Sequence, residues 1–388
     1  MINLVKDTLD NTDIDQLINW LKTYPRLTKG PLTLDFETQW ANYVGTKYAT
    51  YVNSGSSANL LALYSLLEIG KLNRNDVIVV PSVSWATDLA PVFQLGLTPV
   101  LCDVNLNDLA IDINHFKKII HTHKPKALML VHVLGLVCDI DEIKSLCEEN
   151  NIILIEDTCE STGSKFNNNI LGSFGDISTF SFYFGHHMST IEGGMVCTNN
   201  KEFDNLFRSI RNHGWDRDWD SNTQKTMREM YNISEFDSLY TFYYSGFNFR
   251  ATDLQAFLGL NQLKKINDFS EKRNNNYNLY QSHIKNSIWK PKIKNNVYVS
   301  NFAWPLLVHN KVELATIFKK NNIECRPLIC GSMGKQPFYT KRMGECDLPN
   351  ANLIHTNGMY VPNHQSMTEN EVLQICNIIN DTAITINV

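Results

Sequence analysis

The 388-residue chain has no excess of positive charge. It carries 35 Lys plus Arg against 40 Asp plus Glu, a net charge of −5. A mildly acidic chain has no global attraction for polyanions, which excludes nucleic-acid binding as its main task. Long apolar runs are also missing. The longest, residues 127–138, spans twelve positions with His132 inside it, too short to cross a bilayer and of the kind that forms a buried strand. The opening residues MINLVKDTLDNTD lack the apolar core of a signal peptide, so a cytoplasmic chain without a membrane partner is expected. The nine cysteines, at 102, 138, 147, 159, 197, 325, 330, 346 and 376, are odd in number and form neither C-x-C nor C-x-x-C, which excludes a disulfide scaffold and a zinc ribbon. There is no internal repeat, no Walker motif and no G-x-G-x-x-G. Nucleotide hydrolysis and simple NAD binding therefore have no support.

What is present is ordinary globular composition, 43% apolar and 19% charged, at a length that suits two or three domains. Short apolar runs alternate with helix-like segments through the first half. Strands are expected at 48–53, 77–81, 99–103, 127–133, 152–157, 178–183 and 195–198, and helices at 56–67, 88–95, 112–120 and 140–149. This alternation predicts an α/β fold with a mostly parallel sheet covered on both faces. Residues 212–245 are polar and aromatic with little periodicity and read as an extended surface loop. Helices at 252–265 and 269–285 follow, then short strands with helices around 312–320 and 369–379. We divide the chain into a large domain, 1–265, and a smaller C-terminal α/β domain, 266–388.

In open parallel sheets ligands sit beyond the carboxyl ends of the strands, and three segments there carry chemistry. Asn53-Ser54-Gly55-Ser56-Ser57-Ala58 follows a strand and opens a helix. Gly55 permits a tight turn, and Ser56 and Ser57 present hydroxyls and N–H groups where a helix N-terminus favours a dianionic phosphate. The same residues also suit an ordinary serine-capped turn. Ile153-Leu154-Ile155-Glu156-Asp157 ends an apolar strand in acid, with Glu160 three residues on. A carboxylate there can face a protonated pyridine nitrogen and keep the ring an electron sink, or can cap the next helix. Ser181-Phe182-Tyr183-Phe184-Gly185-His186-His187 reads as an aromatic strand, with Glu192-Gly193-Gly194 as a turn. No metal-ligand spacing accompanies the two histidines, and no metal is expected.

Taken together, these segments resemble the DegT/DnrJ/EryC1/StrS sugar aminotransferase family, which is built on pyridoxal phosphate. The likeness also covers Leu27-Thr28-Lys29-Gly30-Pro31, the Pro81-Ser82-Val83-Ser84-Trp85-Ala86-Thr87 stretch, Gly246-Phe247-Asn248-Phe249-Arg250-Ala251-Thr252-Asp253-Leu254-Gln255-Ala256, and Arg326-Pro327 with Gln336-Pro337-Phe338. It spans nearly the whole chain. The resemblance implies the aspartate-aminotransferase-like architecture (fold type I) and a homodimer with an active site shared between chains. It implies that Gly55, Ser56, Ser57, Trp85, Asp157, Glu160 and Ser181 bind the cofactor, with Trp85 stacked on its ring and Asn248 reaching its phosphate from the partner. It places Thr28, Lys29, His213, Arg217 and Arg250 toward the substrate, Arg250 holding a carboxylate or bracing its loop. His187 is expected to point away and pack.

One departure decides the chemistry. The family places a Schiff-base lysine five residues after the serine of Ser181, and here that position is His186; no lysine occurs from 166 to 200. Imidazole cannot form a Schiff base but transfers protons near neutral pH. Such a site holds the amine form, pyridoxamine phosphate, without a covalent link. His186 is then expected to remove a proton from the cofactor's C4′ carbon and to deliver one to a departing hydroxyl, so that oxygen would be expelled and ammonia released. This swap resembles the sugar 3-dehydratases of the family. With no C-x-C pair, an iron–sulfur cluster is not expected. The resemblance then implies the glutamate-dependent branch, acting at C3 of GDP-4-keto-6-deoxy-D-mannose on a route to colitose and O-antigen, with glutamate restoring the amine. An aminotransferase using another lysine and an inactive nucleotide-sugar-binding relative are the competing readings.

Overall fold

Runs such as Val-Ile-Val-Val-Pro and Ala-Leu-Met-Leu-Val are buried at nearly every position, the mark of strands covered on both faces. In the computed structural model, which describes residues 1–386, they build a seven-stranded sheet. The elements of the first half, in chain order, are α1 (Asn11–Leu21), α2 (Pro31–Val44), β1 (Tyr48–Val52), α3 (Gly55–Glu68), β2 (Val77–Pro81), α4 (Ala86–Gln94), β3 (Thr98–Cys102), α5 (Ile113–His123), β4 (Ala127–Val131), α6 (Ile140–Glu149) and β5 (Ile153–Asp157). The short β6 (Lys165–Phe166) and β7 (Asn169–Ile170) precede β8 (Ile177–Ser181), β9 (Gly194–Thr198), α7 (Lys201–Ile210) and α8 (Ser221–Met230).

The sheet order is β1-β9-β8-β5-β4-β2-β3. β8, β5, β4, β2 and β3 pair in parallel, and β9 runs antiparallel to both β1 and β8. From β2 the chain moves outward to β3, then returns past β2 to β4 and continues through β5 to β8. The direction of winding reverses between β2 and β4, so the carboxyl ends around that point form the natural crevice. Apolar residues of α5 and α6, among them Phe116 and Ile143, pack on one face. Leu61, Leu66, Leu89 and Phe207 cover the other. The aromatic cluster of Phe36, Trp40, Tyr51, Phe180 and Phe182 anchors α2 against β1 and β8.

The remaining chain comprises α9 (Asp253–Leu263), α10 (Ile266–His283), β10 (Val297–Tyr298), β11 (Ala303–Leu307), α11 (Lys311–Lys320), β12 (Arg326–Pro327), α12 (Pro337–Met343), α13 (Pro349–Asn357), β13 (Gly358–Pro362) and α14 (Glu369–Thr382). β11-β13-β12 form an antiparallel sheet, with Trp304 stacked on Tyr280 of α10 at 5.1 Å between ring centroids. One continuous apolar cluster joins this part to the large sheet.

Three expectations need correction. Residues 212–245 are not all loop, because α8 lies within them. None of its residues is buried; it is held by the Asp220 side chain accepting from Thr223 N and by the Arg228–Asp216 ion pair at 2.9 Å, so an apolar stripe never appears in the sequence. The aromatic run after Ser181 is not strand either. β8 stops at Ser181, and residues 182–193 fold into a loop tied by Phe182 N to Gly193 O, with Tyr183 and Phe184 exposed. The strand expected at 127–133 ends at Val131, where residues 133–135 turn tightly. The N-terminal helices α1 and α2 carry polar outer faces and were not anticipated.

Candidate active site

A cavity of about 450 Å³ opens at the reversal point. Its walls come from segments that follow five different strands: Ser54, Gly55 and Ser56 after β1; Ser84, Trp85, Thr87 and Asp88 after β2; Val133 after β4; Cys159 and Glu160 after β5; Tyr183, Phe184, Gly185 and His186 after β8. Asp157 and Ser181 are the last residues of their strands.

Ser54 caps α3, its hydroxyl accepting from Ser57 N at 3.0 Å. The helix can start this close to the sheet because Gly55 has no side chain: a Cβ there would sit 2.7 Å from Ser181 Cβ and 3.1 Å from Cys159 Sγ. The first N–H groups of α3, the Ser56 side chain and Ser181 thus border the same end of the cavity. That is the donor set a dianionic phosphate needs. Ser57 does not line the cavity, because its N–H and hydroxyl are both engaged by Ser54.

The alternation of β5 separates its two terminal acids. Glu156 turns inward to His132 at 3.1 Å and to the N–H groups of Gly172, Phe174 and Gly175; these partners outweigh burial and hold its carboxyl below the usual range. Asp157 lines the cavity, accepting from Asn59 Nδ2 at 2.7 Å and Cys159 N at 2.9 Å, with no cationic side chain among its partners. A buried carboxylate without a cation calls for one from a ligand. Glu160 accepts from Leu134 N, and burial pushes its carboxyl up to about 7, Asp157 adding to the rise. Burial and then Asp157 hold the Cys159 thiol well above its ordinary range.

His186 sits in the loop after β8, its ring 5.5 Å from that of Phe302, and its Nδ1 has no partner. Burial drives its pKa down to about 4, with Asp157 opposing the shift and Arg273 reinforcing it. The ring is therefore neutral at pH 7, able to accept a proton. His187 is turned the other way, buried, donating from Nε2 to Ser300 O at 2.8 Å. Trp85 is 57% exposed at the mouth, which suits a stacking surface and excludes a core role. None of the residues lining the cavity is a lysine. Phosphate donors, a cation-seeking carboxylate, an open aromatic face and a neutral imidazole fit pyridoxal or pyridoxamine phosphate held non-covalently.

The structure does not bring every expected residue to this cavity. Thr28 is exposed, and Lys29 is committed to Asp218 at 2.8 Å. Arg217 lies 3.9 Å over the Trp215 ring and donates to Leu239 O, within the exposed segment before and after α8. Arg250 donates to Asn212 Oδ1, bracing the His213 loop, and His213 itself lies outside the cavity. Asn248 is exposed and does not line its own chain's cavity. Conversely, Asp88, Asn59, Glu192, Leu4, Val5, Ile329 and Tyr360 were not foreseen. Asn59 had a legible signal, being an amide one turn after Ser56 with apolar residues on either side of it in α3. The others reach the site only through tertiary folding.

The sequence pattern described as the DegT/DnrJ/EryC1/StrS aminotransferase family matches residues 8–380. GDP-4-keto-6-deoxy-D-mannose 3-dehydratase of Escherichia coli O55:H7 is 32% identical over 94% of this chain and 96% of its own length. The enzyme of the same name from Yersinia pseudotuberculosis is 32% identical over 98% of both. A crystal structure of GDP-4-keto-6-deoxymannose-3-dehydratase with a trapped PLP-glutamate geminal diamine superposes with a TM-score of 0.89 at 30% identity, covering 97% of this chain and all of that one. With fold, cavity and sequence in agreement along its whole length, the chain belongs to the DegT/DnrJ/EryC1/StrS aminotransferase family.

Proposed function

We infer that the chain is a nucleotide-sugar 3-dehydratase. It uses pyridoxamine phosphate to remove the C3 hydroxyl of GDP-4-keto-6-deoxy-D-mannose, releases ammonia, and has its cofactor returned to the amine form by glutamate. The observation that carries this reading is His186 in the position of the Schiff-base lysine, in a cavity lined by no lysine.

The bound cofactor supplies an amine for the substrate's ketone and a ring that accepts electrons. Everything else falls to the protein. Gly55 and Ser56 at the start of α3, with Ser181, would hold the phosphate; Asp157 would face the ring nitrogen, Glu160 would lie beside the same ligand, and Trp85 would cover one ring face. His186, neutral at pH 7 and with an unpartnered Nδ1, would accept a proton from the reacting carbon and return one to the leaving hydroxyl. An ammonium side chain would instead protonate the sugar's amine-bearing carbon and complete an amination; imidazole leaves that step unserved, and the amine is lost as ammonia.

A homodimer belongs to this reading. Asn248, exposed and not part of the lining of its own cavity, would complete the phosphate site of a second copy, and the Thr28, Arg217 and His213 loops would reach substrate there. So do the division near residue 265, a cytoplasmic location and a product on the way to the 3,6-dideoxyhexose colitose. The test is direct: incubate the protein with pyridoxal phosphate, glutamate and GDP-4-keto-6-deoxymannose, then measure ammonia and product mass. Loss of the C3 oxygen with stoichiometric ammonia is expected. An aminated sugar, or borohydride fixation of cofactor to any lysine, overturns it.

A further inference from the structure

Asp88 is completely buried, lines the cavity, and has no part in the mechanism above. It lies in the first turn of α4, where Oδ2 accepts from Trp85 N at 2.9 Å. Its other oxygen shares a donor with Asp157. Asn59 Nδ2 reaches Asp157 Oδ2 at 2.7 Å and Asp88 Oδ1 at 3.2 Å, while Asn59 Oδ1 accepts from the Thr179 hydroxyl at 2.6 Å. The Thr179 bond fixes which way the amide faces, so one NH₂ group serves two carboxyls. The pair's remaining partners are the backbone N–H groups of Trp85 and Cys159. None of these contacts is a cation.

Two buried carboxyls that share one amide donor and have no cationic partner repel each other as two anions, and one proton between them relieves that repulsion. Burial and the adjoining Asp157 carboxyl together push Asp88 well above the usual carboxylate range. Glu160, the Cys159 and Cys330 thiols and the His186 ring, the other ionisable groups around the pair, add no positive charge at pH 7, the ring because burial holds it down to about 4. The charge count then fits the ligand: one shared proton leaves a single negative charge opposite one pyridinium, where two carboxylates would leave an excess.

We propose that Asp88 and Asp157 form a proton-sharing pair bridged by Asn59, with Asp88 the protonated, positioning member that holds Asp157 as the single anion presented to the cofactor's ring nitrogen. Trp85 is tied into the same arrangement, because its backbone N–H rests on Asp88 while its ring lies at the mouth of the cavity. The inference rests on the functional reading only for the identity of the ligand.

Two measurements on the full-length protein test it. The first needs no cofactor. The difference infrared spectrum of wild type minus Asp88→Asn at neutral pH should show the carbonyl stretch of a protonated carboxylic acid; its absence overturns the proposal. The second is a fluorescence titration with pyridoxamine phosphate. Asp88→Asn keeps a donor toward Asp157 and should bind within about threefold of wild type, whereas Asp88→Ala, which removes it, should bind at least about tenfold more weakly. Equal weakness in both variants overturns the proposal. If wild type itself fails to bind pyridoxamine phosphate, the functional reading fails, while the infrared result still decides the carboxyl pair.

Discussion

An imidazole and a primary amine differ at this cavity in one respect that matters: only the amine can be captured by an aldehyde. His186→Asn removes the proton carrier while leaving the phosphate and ring-nitrogen contacts untouched. It should retain pyridoxamine phosphate and lose ammonia release by about 10²–10⁴-fold; turnover near wild type would refute the role. His186→Lys should acquire a covalent, borohydride-reducible cofactor with a visible absorption band. The titration follows from burial. Because His186 is held down to about 4, its base form persists as pH falls from 8 to 5 and is lost only as pH drops through about 4. Glu160, pushed up to about 7, loses its proton near neutrality. The acid limb of kcat/KM should therefore lie well below the ordinary histidine value near 6.5, and Glu160→Gln should erase any inflection near 7 without moving that limb. An acid limb at 6.5 would contradict the burial argument. At this scale Gly55 and Asp157 were legible because each sits where a strand ends and carries chemistry of its own, whereas Ser181 and His186 were legible only through the family resemblance, which marks His186 as the place of the missing lysine. Asp88 was not, because its meaning depends on Asn59 and Asp157, residues 29 and 69 positions away that only folding brings together.

The helix that presents the phosphate donors depends on how closely its first turn approaches the sheet. A Cβ on Gly194 would lie 2.3 Å from Ser54 O and 2.6 Å from Gly55 N, both backbone atoms that cannot turn aside. Gly194→Ala should therefore displace the start of α3, destabilise the protein by about 1–3 kcal/mol in denaturant unfolding, and weaken cofactor binding in the same variant. Unaltered binding would show that the α3 N-terminus does not carry the phosphate. Elements such as β2, β4 and β5 were readable because continuous apolar runs of strand length mean a strand buried on both faces. α8 and the 182–193 loop were not. The helix is held by a cap and an ion pair, without an apolar stripe. The loop carries aromatic residues that read as strand but lie on the surface near the cavity.

At the scale of the whole molecule, the parallel sheet was legible from the alternation of strands and helices, while the residues that face outward were not interpretable from one chain. Met230, Phe236, Tyr240 and Phe242 are 73%, 82%, 74% and 53% exposed, an apolar concentration that an isolated soluble chain seldom leaves uncovered. They lie from the last residue of α8 onward toward Asn248, on the stretch that the dimeric reading places against a second copy. If Asn248 serves a neighbour's cavity and His186 its own chain's, the two functions reside on different subunits of each site. Asn248→Ala should then weaken cofactor binding although it touches nothing in its own cavity. At a cofactor concentration too low to load Asn248→Ala protein, mixing it in equal amount with inactive His186→Asn protein should create hybrids in which one site combines both wild-type residues. Random exchange makes half the dimers hybrid, each with one intact site of two, so activity should recover to about a quarter of wild type. No recovery, with subunit exchange verified by mass, would place Asn248 and His186 in the service of the same chain.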